Sequence, residues 1–388
     1  MTTTRPAVRP FTLRVTDEVL TDLQQRLARV RWPDQAPHGE PWQFGTDLTY
    51  LQQLVEYWRT SFDWRAQEAR LNAFPQYTAP VGDINVHFLH VPGQSDNPMP
   101  LLLSHGWPGS VWEFNRIIPM LTDPASHGGD ARDAFTVVAP SLPGYTLSFK
   151  PGQRRFGIPA TAATFDGLMH DVLGYQRYVA QGGDWGSFIS SYLAFAHADH
   201  VAAIHITLMP LRREPPGPSD DPEIATYRAE LEHWQREETG YSQIQGTKPQ
   251  TLAYGLTDSP VGLAAWITEK FHTWTDNQGD LESRVSKDDL LTNIMLYWAT
   301  GAIGSSFWPY YSRQHEGWPL PADQRVEVPT AYQSFPREII HPPRALAERA
   351  FNIQRWTGSP SGGHFAALEE PQRLAEDIRA FFRTYRQT

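Results

Sequence analysis

The stretch Gln181-Gly182-Gly183-Asp184-Trp185-Gly186-Ser187 limits the fold of this chain more than any other segment. Tyr178 to Gln181 before it reads as a short strand, and Phe188 to Ala196 after it reads as a helix. A strand that turns sharply into a helix is crowded two positions before and two after its tip, and only small residues fit there. Gly182 and Gly186 occupy those two positions, so the spacing predicts a nucleophile elbow with Asp184 at the tip. An esterase carries serine at that point. A carboxylate is already ionised at neutral pH and needs no base to activate it. It is suited to displacement at an sp³ carbon, leaving an alkyl-enzyme ester for water to open. Asp and Gly are also common turn residues, so the pentapeptide needs a fold and partners to support it.

The order of elements supplies the fold. Leu20, Leu23, Leu27 and Val30 recur at helical spacing after Thr16, a candidate cap, and the helix should stop near Pro33. Leu48, Leu51, Leu54, Val55 and Trp58 predict a second amphipathic helix. From about Tyr77 the pattern changes. Ile84 to His90 alternates in part, and Pro100 to Ser104 and Phe135 to Ala139 are short apolar runs closed by Gly or Pro. A helical stretch around Trp112 to Leu121 separates those runs, as in a βαβ unit. Ala203 to Leu208 is a further strand. Leu211 to Pro319 reads as helical and Trp-rich, strand character returns at Val326 to Phe335, and Leu368 to Tyr385 reads as a closing helix.

A parallel core that is interrupted by helices and then resumes is an α/β domain with an inserted cap. The expected fold class is therefore α/β, an α/β-hydrolase fold with a mostly parallel sheet. The expected division is an N-terminal meander with the first strands (1–95), core (96–210), helical cap (211–319) and core again (320–388). No internal repeat or low-complexity linker is visible.

Composition bounds the function. A chain of 388 residues can bury a sizeable core. Without any cysteine it has no thiolate chemistry and no cysteine zinc site. A formal charge of −10 argues against general affinity for nucleic acid or anionic membrane. The first eleven residues contain no apolar core of a secretory signal. No window approaches ~18 consecutive apolar residues. A cytoplasmic protein without a membrane anchor is expected.

The chain order in this fold is nucleophile, acid, histidine. His364, in Gly362-Gly363-His364-Phe365 between a Gly-Gly turn and a helix, is the best placed of the 14 histidines to reach the elbow. Glu338 directly follows the run ending at Phe335 and is the expected acid, holding the imidazole in one tautomer. Asp323 and Glu327 are weaker alternatives because they precede or begin that strand, and a surface pairing of Glu338 with Arg337 or Arg344 remains open. The loop His105-Gly106-Trp107-Pro108-Gly109-Ser110 follows the PLLLS run, where backbone N–H groups form an oxyanion hole. The amides of Trp107 and Trp185 are assigned to it, and His105 is read as structural.

Taken together, HGWPGS, PSLPGY (140–145), GGDWGS, FPRE and GGHFAALEEP resemble the epoxide hydrolase family of the microsomal type. So do GYSQIQ (240–245), DSPVGLAAWI (258–267) and the N-terminal segment, so the resemblance runs through most of the chain. It implies Asp184 as nucleophile, Glu338 as acid, His364 as base, and two tyrosines of the cap that donate a proton to the epoxide oxygen. Tyr241 matches the first. The second falls in Ser305-Ser306-Phe307-Trp308-Pro309-Tyr310-Tyr311, where Tyr310 fits best and Tyr311 stays open. Trp308-Pro309 departs from the family pattern there, which has a basic and an apolar residue. Mammalian members carry an N-terminal membrane anchor, and no apolar segment here matches it.

The resemblance implies an ether-bond hydrolase that converts an apolar epoxide to a vicinal diol and needs neither metal nor organic cofactor. The many Trp and Phe point to a bulky substrate; a homodimer is possible. A haloalkane or haloacid dehalogenase shares the Asp–His chemistry but needs no proton donor for its halide. A catalytically silent ligand-binding protein of the same fold is the other alternative. A serine esterase lacks its motif, since Gly358-Ser359-Pro360-Ser361-Gly362 does not place serine at the centre.

Overall fold

Short apolar runs closed by Gly or Pro form the middle of one nine-stranded sheet. The computed structural model describes residues 7–211, 220–317, 320 and 324–386. Its strands are β1 (Arg9–Pro10), β2 (Gln76–Val81), β3 (Ile84–Val91), β4 (Met99–Ser104), β5 (Phe135–Pro140), β6 (Tyr178–Gly182), β7 (Val201–Ile206), β8 (Val326–Ser334) and β9 (Phe351–Gly358). Their order is β1-β2-β3-β5-β4-β6-β7-β8-β9. β1, β2, β3 and β5 pair antiparallel, and every pair from β5 through β4 to β9 is parallel. β5 is buried at all six positions and β6 at all five, as parallel strands covered on both faces require.

Three helices precede the sheet, α1 (Asp17–Leu27), α2 (Leu48–Thr60) and α3 (Trp64–Asn72). Thr16 occupies the N-cap position of α1 without making a side-chain cap bond, whereas Asp47 caps α2 through Tyr50 N–H. Helices α4 (Ile117–Thr122), α5 (Ile158–Asp166) and α6 (Trp185–Ala196) connect the core strands. The single helix expected at 112–121 is instead a 3₁₀ turn (Val111–Phe114) followed by α4. Pro119 lies in the first turn of α4, where its missing N–H leaves no helical bond unmade.

Between β7 and β8 the described residues form α7 (Pro222–Glu237), α8 (Gly240–Thr247), α9 (Pro249–Asp258), α10 (Pro260–Trp274), α11 (Lys287–Thr300), α12 (Ile303–Ser306) and α13 (Trp308–Glu316). Residues 212–219 and 318–319 of the expected cap lie outside the described residues. The N-terminal segment braces these helices. Arg26 bonds Asp258, Thr46 Oγ1 donates to Ala265 O at 2.7 Å, and Trp42 stacks on His272 with ring centroids 3.9 Å apart.

After β8 come α14 (Arg344–Ala350), α15 (Ala366–Glu369) and α16 (Pro371–Phe382). The one closing helix expected at 368–385 is broken at Glu370 (φ −134°), because a residue before proline is pushed out of the helical region. β9 has no counterpart among the apolar runs of the sequence, because it is an edge strand whose burial is partial. No helix among the described residues is long and apolar enough to cross a membrane.

Candidate active site

Asp184 sits where β6 ends and α6 begins, with φ +46° and ψ −127°. A non-glycine residue in that region costs on the order of 1–3 kcal/mol, which the surrounding packing must sustain. The glycines explain how. A Cβ on Gly186 would lie 1.9 Å from the Ser104 carbonyl oxygen, and one on Gly182 would lie 2.2 Å from the Gly186 carbonyl. Gly186→Ala is therefore expected to cost about 3 kcal/mol of stability, read as a lower midpoint in equilibrium urea unfolding.

Position at the start of α6 also favours a negative charge, because the first amides of a helix carry partial positive charge. The carboxylate meets the loop after β4: Trp107 N–H donates to Asp184 Oδ1 at 2.7 Å. Gly106 permits this approach, since its Cβ would lie 2.3 Å from Asp184 Oδ1. Helix α11 holds the loop from behind. Asn293 Nδ2 donates to Pro108 O, Tyr297 OH donates to Gly109 O, and Ser110 Oγ donates to Asn293 Oδ1, each at 2.7 Å. His105 is buried, bonding Gly106 O through Nδ1 and accepting Leu142 N–H at Nε2. Burial pushes its imidazole down to about 4, so it is neutral.

His364 reaches the elbow from the loop before α15. Its Nε2 lies 3.5 Å from Asp184 Oδ2, and its Nδ1 lies 2.6 Å from Glu338 Oε1. The loop is pinned at several points: His364 N–H donates to Trp274 O, Gly362 N–H to Asp276 Oδ2, and Arg337 N–H to Gly362 O. Gly363 has no room for a Cβ, which would lie 2.4 Å from Trp274 O. Burial alone would push the imidazolium pKa down. The Glu338 charge and the hydrogen bonds to Asp184 and Glu338 outweigh it, holding the proton well above the ordinary histidine range. Glu338 does not form the surface ion pair considered above; its side chain is fully buried. Glu327 is exposed on β8, and Asp323 lies outside the described residues.

Across from Asp184 stand two aromatic hydroxyls. Tyr241 on α8 and Tyr310 on α13 line a cavity of about 430 Å³ together with Asp184, Trp185, Phe188, Leu208 and Trp234. Their ring centroids are 5.6 Å apart, and the Tyr310 ring stands edge-on to Trp185 at 4.8 Å. Tyr310 is buried, and desolvation, assisted by Tyr241 and Asp184, holds its hydroxyl well above 10 and so protonated. Tyr311 faces elsewhere, stacked between Trp308 and His315. A larger cleft of about 940 Å³ lies at the opposite ends of the strands and contains none of these residues.

Two site residues escape sequence reasoning. Lys270 on α10 is buried, ion-paired to Glu269 at 2.6 Å, with its ammonium 4.5 Å from the centre of the Tyr241 ring. Its one signal is a lysine within the apolar run of α10. Glu113, in the turn after the HGWPGS loop, is the other. Burial pushes its carboxyl up to about 8, opposed by the His364 charge and reinforced by Asp184.

The arrangement brings together a carboxylate, a backbone donor on one of its oxygens, a histidine–carboxylate pair beside the other, and two phenols opposite. Comparison with known proteins places it. Residues 8–114 match the epoxide hydrolase N terminus family model, and residues 99–225 match the alpha/beta hydrolase fold model. The chain is 43% identical to a putative epoxide hydrolase of Stigmatella aurantiaca over 98% of its length and 86% of that protein's. It is 38% identical to epoxide hydrolase 1 of Oryctolagus cuniculus over 97% of its length and 88% of that protein's. Among solved structures, the juvenile hormone epoxide hydrolase of the silkworm Bombyx mori superposes with a TM-score of 0.89 at 31% identity. That match covers 98% of this chain and 96% of the other. The Aspergillus niger epoxide hydrolase gives 0.85 at 31% identity, covering 97% and 96%. With full-length relatives at this identity and both family models matched, the chain belongs to the epoxide hydrolase family of α/β-hydrolase-fold enzymes.

Proposed function

We propose that this protein hydrolyses an apolar epoxide to a vicinal diol through an ester on Asp184. The observation that carries the reading is the placement of Asp184 between His364–Glu338 on one side and two phenols on the other. The helices between β7 and β8 act as the cap that supplies those phenols.

In the first step Asp184 attacks a ring carbon from the face opposite the C–O bond. Oδ2 is the attacking atom, because Oδ1 is engaged by the Trp107 N–H. The carbon–oxygen bond breaks, and the departing oxygen takes a proton from Tyr241 or Tyr310. An alkoxide is a poor leaving group, so this proton lowers the barrier as general acids do. In the second step His364 takes a proton from water, and the hydroxide adds to the Asp184 carboxyl carbon. The Trp107 and Trp185 amides hold the oxyanion. The ester C–O bond then breaks as the His364 imidazolium gives its proton to the departing diol oxygen, and the proton left on the Asp184 carboxyl passes to His364, restoring the starting state. Halide release would not need the two donors, which argues against the dehalogenase alternative.

Charge changes in this sequence give His364 its timing. While Asp184 is ionised, it helps keep His364 protonated. Esterification removes that negative charge, so the imidazolium gives up its proton more easily, to the tyrosinate left by ring opening, and is neutral when a base is needed. In the ester the Glu338 charge and hydrogen bond still raise its pKa, so the neutral base is lost as pH falls through that pKa. Pre-steady-state measurement should therefore show ester hydrolysis falling at low pH while ester formation changes much less. Equal loss of both rate constants would contradict this assignment.

The proton donors are tested by substitution. General acid catalysis contributes roughly 10²–10⁴-fold, so Tyr241→Phe or Tyr310→Phe is expected to slow ester formation about tenfold or more. The double variant is expected to slow it by about a thousandfold. Rapid-quench detection of the ester with an aryl epoxide checks this. Unchanged ester formation in the double variant would remove the tyrosines from the mechanism.

A further inference from the structure

Away from the catalytic cavity, at the other end of the parallel strands, three side chains converge. Asp166 ends α5, His197 follows α6, and His200 precedes β7. His197 Nδ1 lies 3.0 Å from Asp166 Oδ2. His200 Nδ1 lies 2.9 Å from Asp166 Oδ1 and 3.1 Å from Oδ2. The three ligating atoms all fall within 4.8 Å of one another, and this is the one such His/carboxylate group among the described residues.

We propose that Asp166, His197 and His200 form a binding site for a divalent transition metal, with zinc as the reference ion. Both imidazoles present the same nitrogen, Nδ1, to one carboxylate. Zinc binds imidazole nitrogen and carboxylate oxygen at about 2.0–2.2 Å, so its tetrahedral ligands stand roughly 3.3–3.4 Å apart. The histidine–aspartate separations of 2.9–3.1 Å are within about half an ångström of that, and all three ligand atoms fit within 4.8 Å. Two nitrogens and one carboxylate favour zinc, copper or nickel over magnesium or calcium, which take oxygen ligands.

The surroundings hold the ligands in place. Tyr178 OH donates to Asp166 Oδ1 at 2.9 Å, the outer-shell bond that orients a ligating carboxylate. The His170 ring stacks on His200 with centroids 4.0 Å apart and planes 7° from parallel, fixing the plane of that imidazole. Asp166 is buried while His197 and His200 keep about a quarter of their side-chain surface open (25% and 29%), which leaves an entry path and an open coordination position. The backbone is tied as well, since Tyr178 N–H donates to His200 O at 2.9 Å. A bound ion would therefore clamp the end of α5 and the loop before β7 to the base of β6. Its effect would fall on stability, because β6 separates this cluster from Asp184.

The test uses the full chain without a histidine tag, stripped with chelator and titrated with zinc sulfate by calorimetry. One saturable site per chain is expected, with a Kd on the order of micromolar, and a rise of a few degrees in the thermal midpoint at a hundredfold excess over Kd. Cobalt should give the visible d–d absorption of a low-coordinate site. His197→Gln, His200→Gln and Asp166→Asn should each weaken binding at least tenfold without changing diol formation, whereas His38→Gln, at an exposed histidine, should leave binding intact. Circular dichroism establishes that each variant is folded. Absence of saturable zinc binding and of the cobalt spectrum in the unaltered chain would overturn the proposal. So would binding that survives both histidine substitutions.

Discussion

His364→Gln is expected to stop turnover after one event, leaving the ester on Asp184. Nucleophilic attack requires only the ionised carboxylate and the two phenols, whereas opening the ester requires a base for water. Removing one member of such a triad costs on the order of 10⁴–10⁶ in turnover. Mixing the variant with an aryl epoxide should then give one equivalent of substrate consumed and almost no diol. Intact-protein mass should rise by the mass of the substrate, with the addition located on the peptide containing Asp184. Glu338 enters the same prediction through its 2.6 Å bond to His364 Nδ1. A burst without diol would place His364 in the second step alone; loss of the burst would assign it to the first.

Asp184→Ala is expected to abolish both steps, with ester and diol both absent and activity reduced by about 10⁵-fold or more. No neighbouring group replaces it. Glu113 is held largely protonated by burial, and Glu338 is committed to His364. Folding should be retained, because alanine removes a carboxylate from a strained turn without adding volume. Residual diol formation near the unaltered rate would mean that water, not Asp184, attacks the ring.

How far these residues are legible from sequence follows from how local their signals are. The elbow is legible because sterics act within five residues: Gly182 and Gly186 leave room for the turn that carries Asp184. His364 is legible because the Gly-Gly turn before it is needed for passage against Trp274 O. Glu338 is partly legible, since it follows the end of β8, but its choice over Glu327 depends on burial. Tyr310 and Tyr311 differ by one residue and lie 100° apart around a helix. Both sit among aromatics, so only the packing of α13 on the elbow separates them. Asn293 and Tyr297 carry no local signal because their roles arise from contacts across distant elements, and Lys270 carries only that of a charge within an apolar run. The sheet follows the same division. Its buried parallel strands announce themselves as apolar runs, whereas β2 and β9 near the edges alternate and carry polar residues.

The central claim, attack by Asp184 itself, is tested most directly by a single turnover in heavy-oxygen (¹⁸O) water with enzyme in excess over epoxide. The ester route predicts that the label enters the Asp184 carboxylate, because water adds to the carboxyl carbon and the diol keeps an oxygen from the enzyme. Peptide mass spectrometry should find the label on the segment containing Asp184 and an unlabelled diol. Label appearing in the diol on that first turnover, with Asp184 unlabelled, would contradict the account.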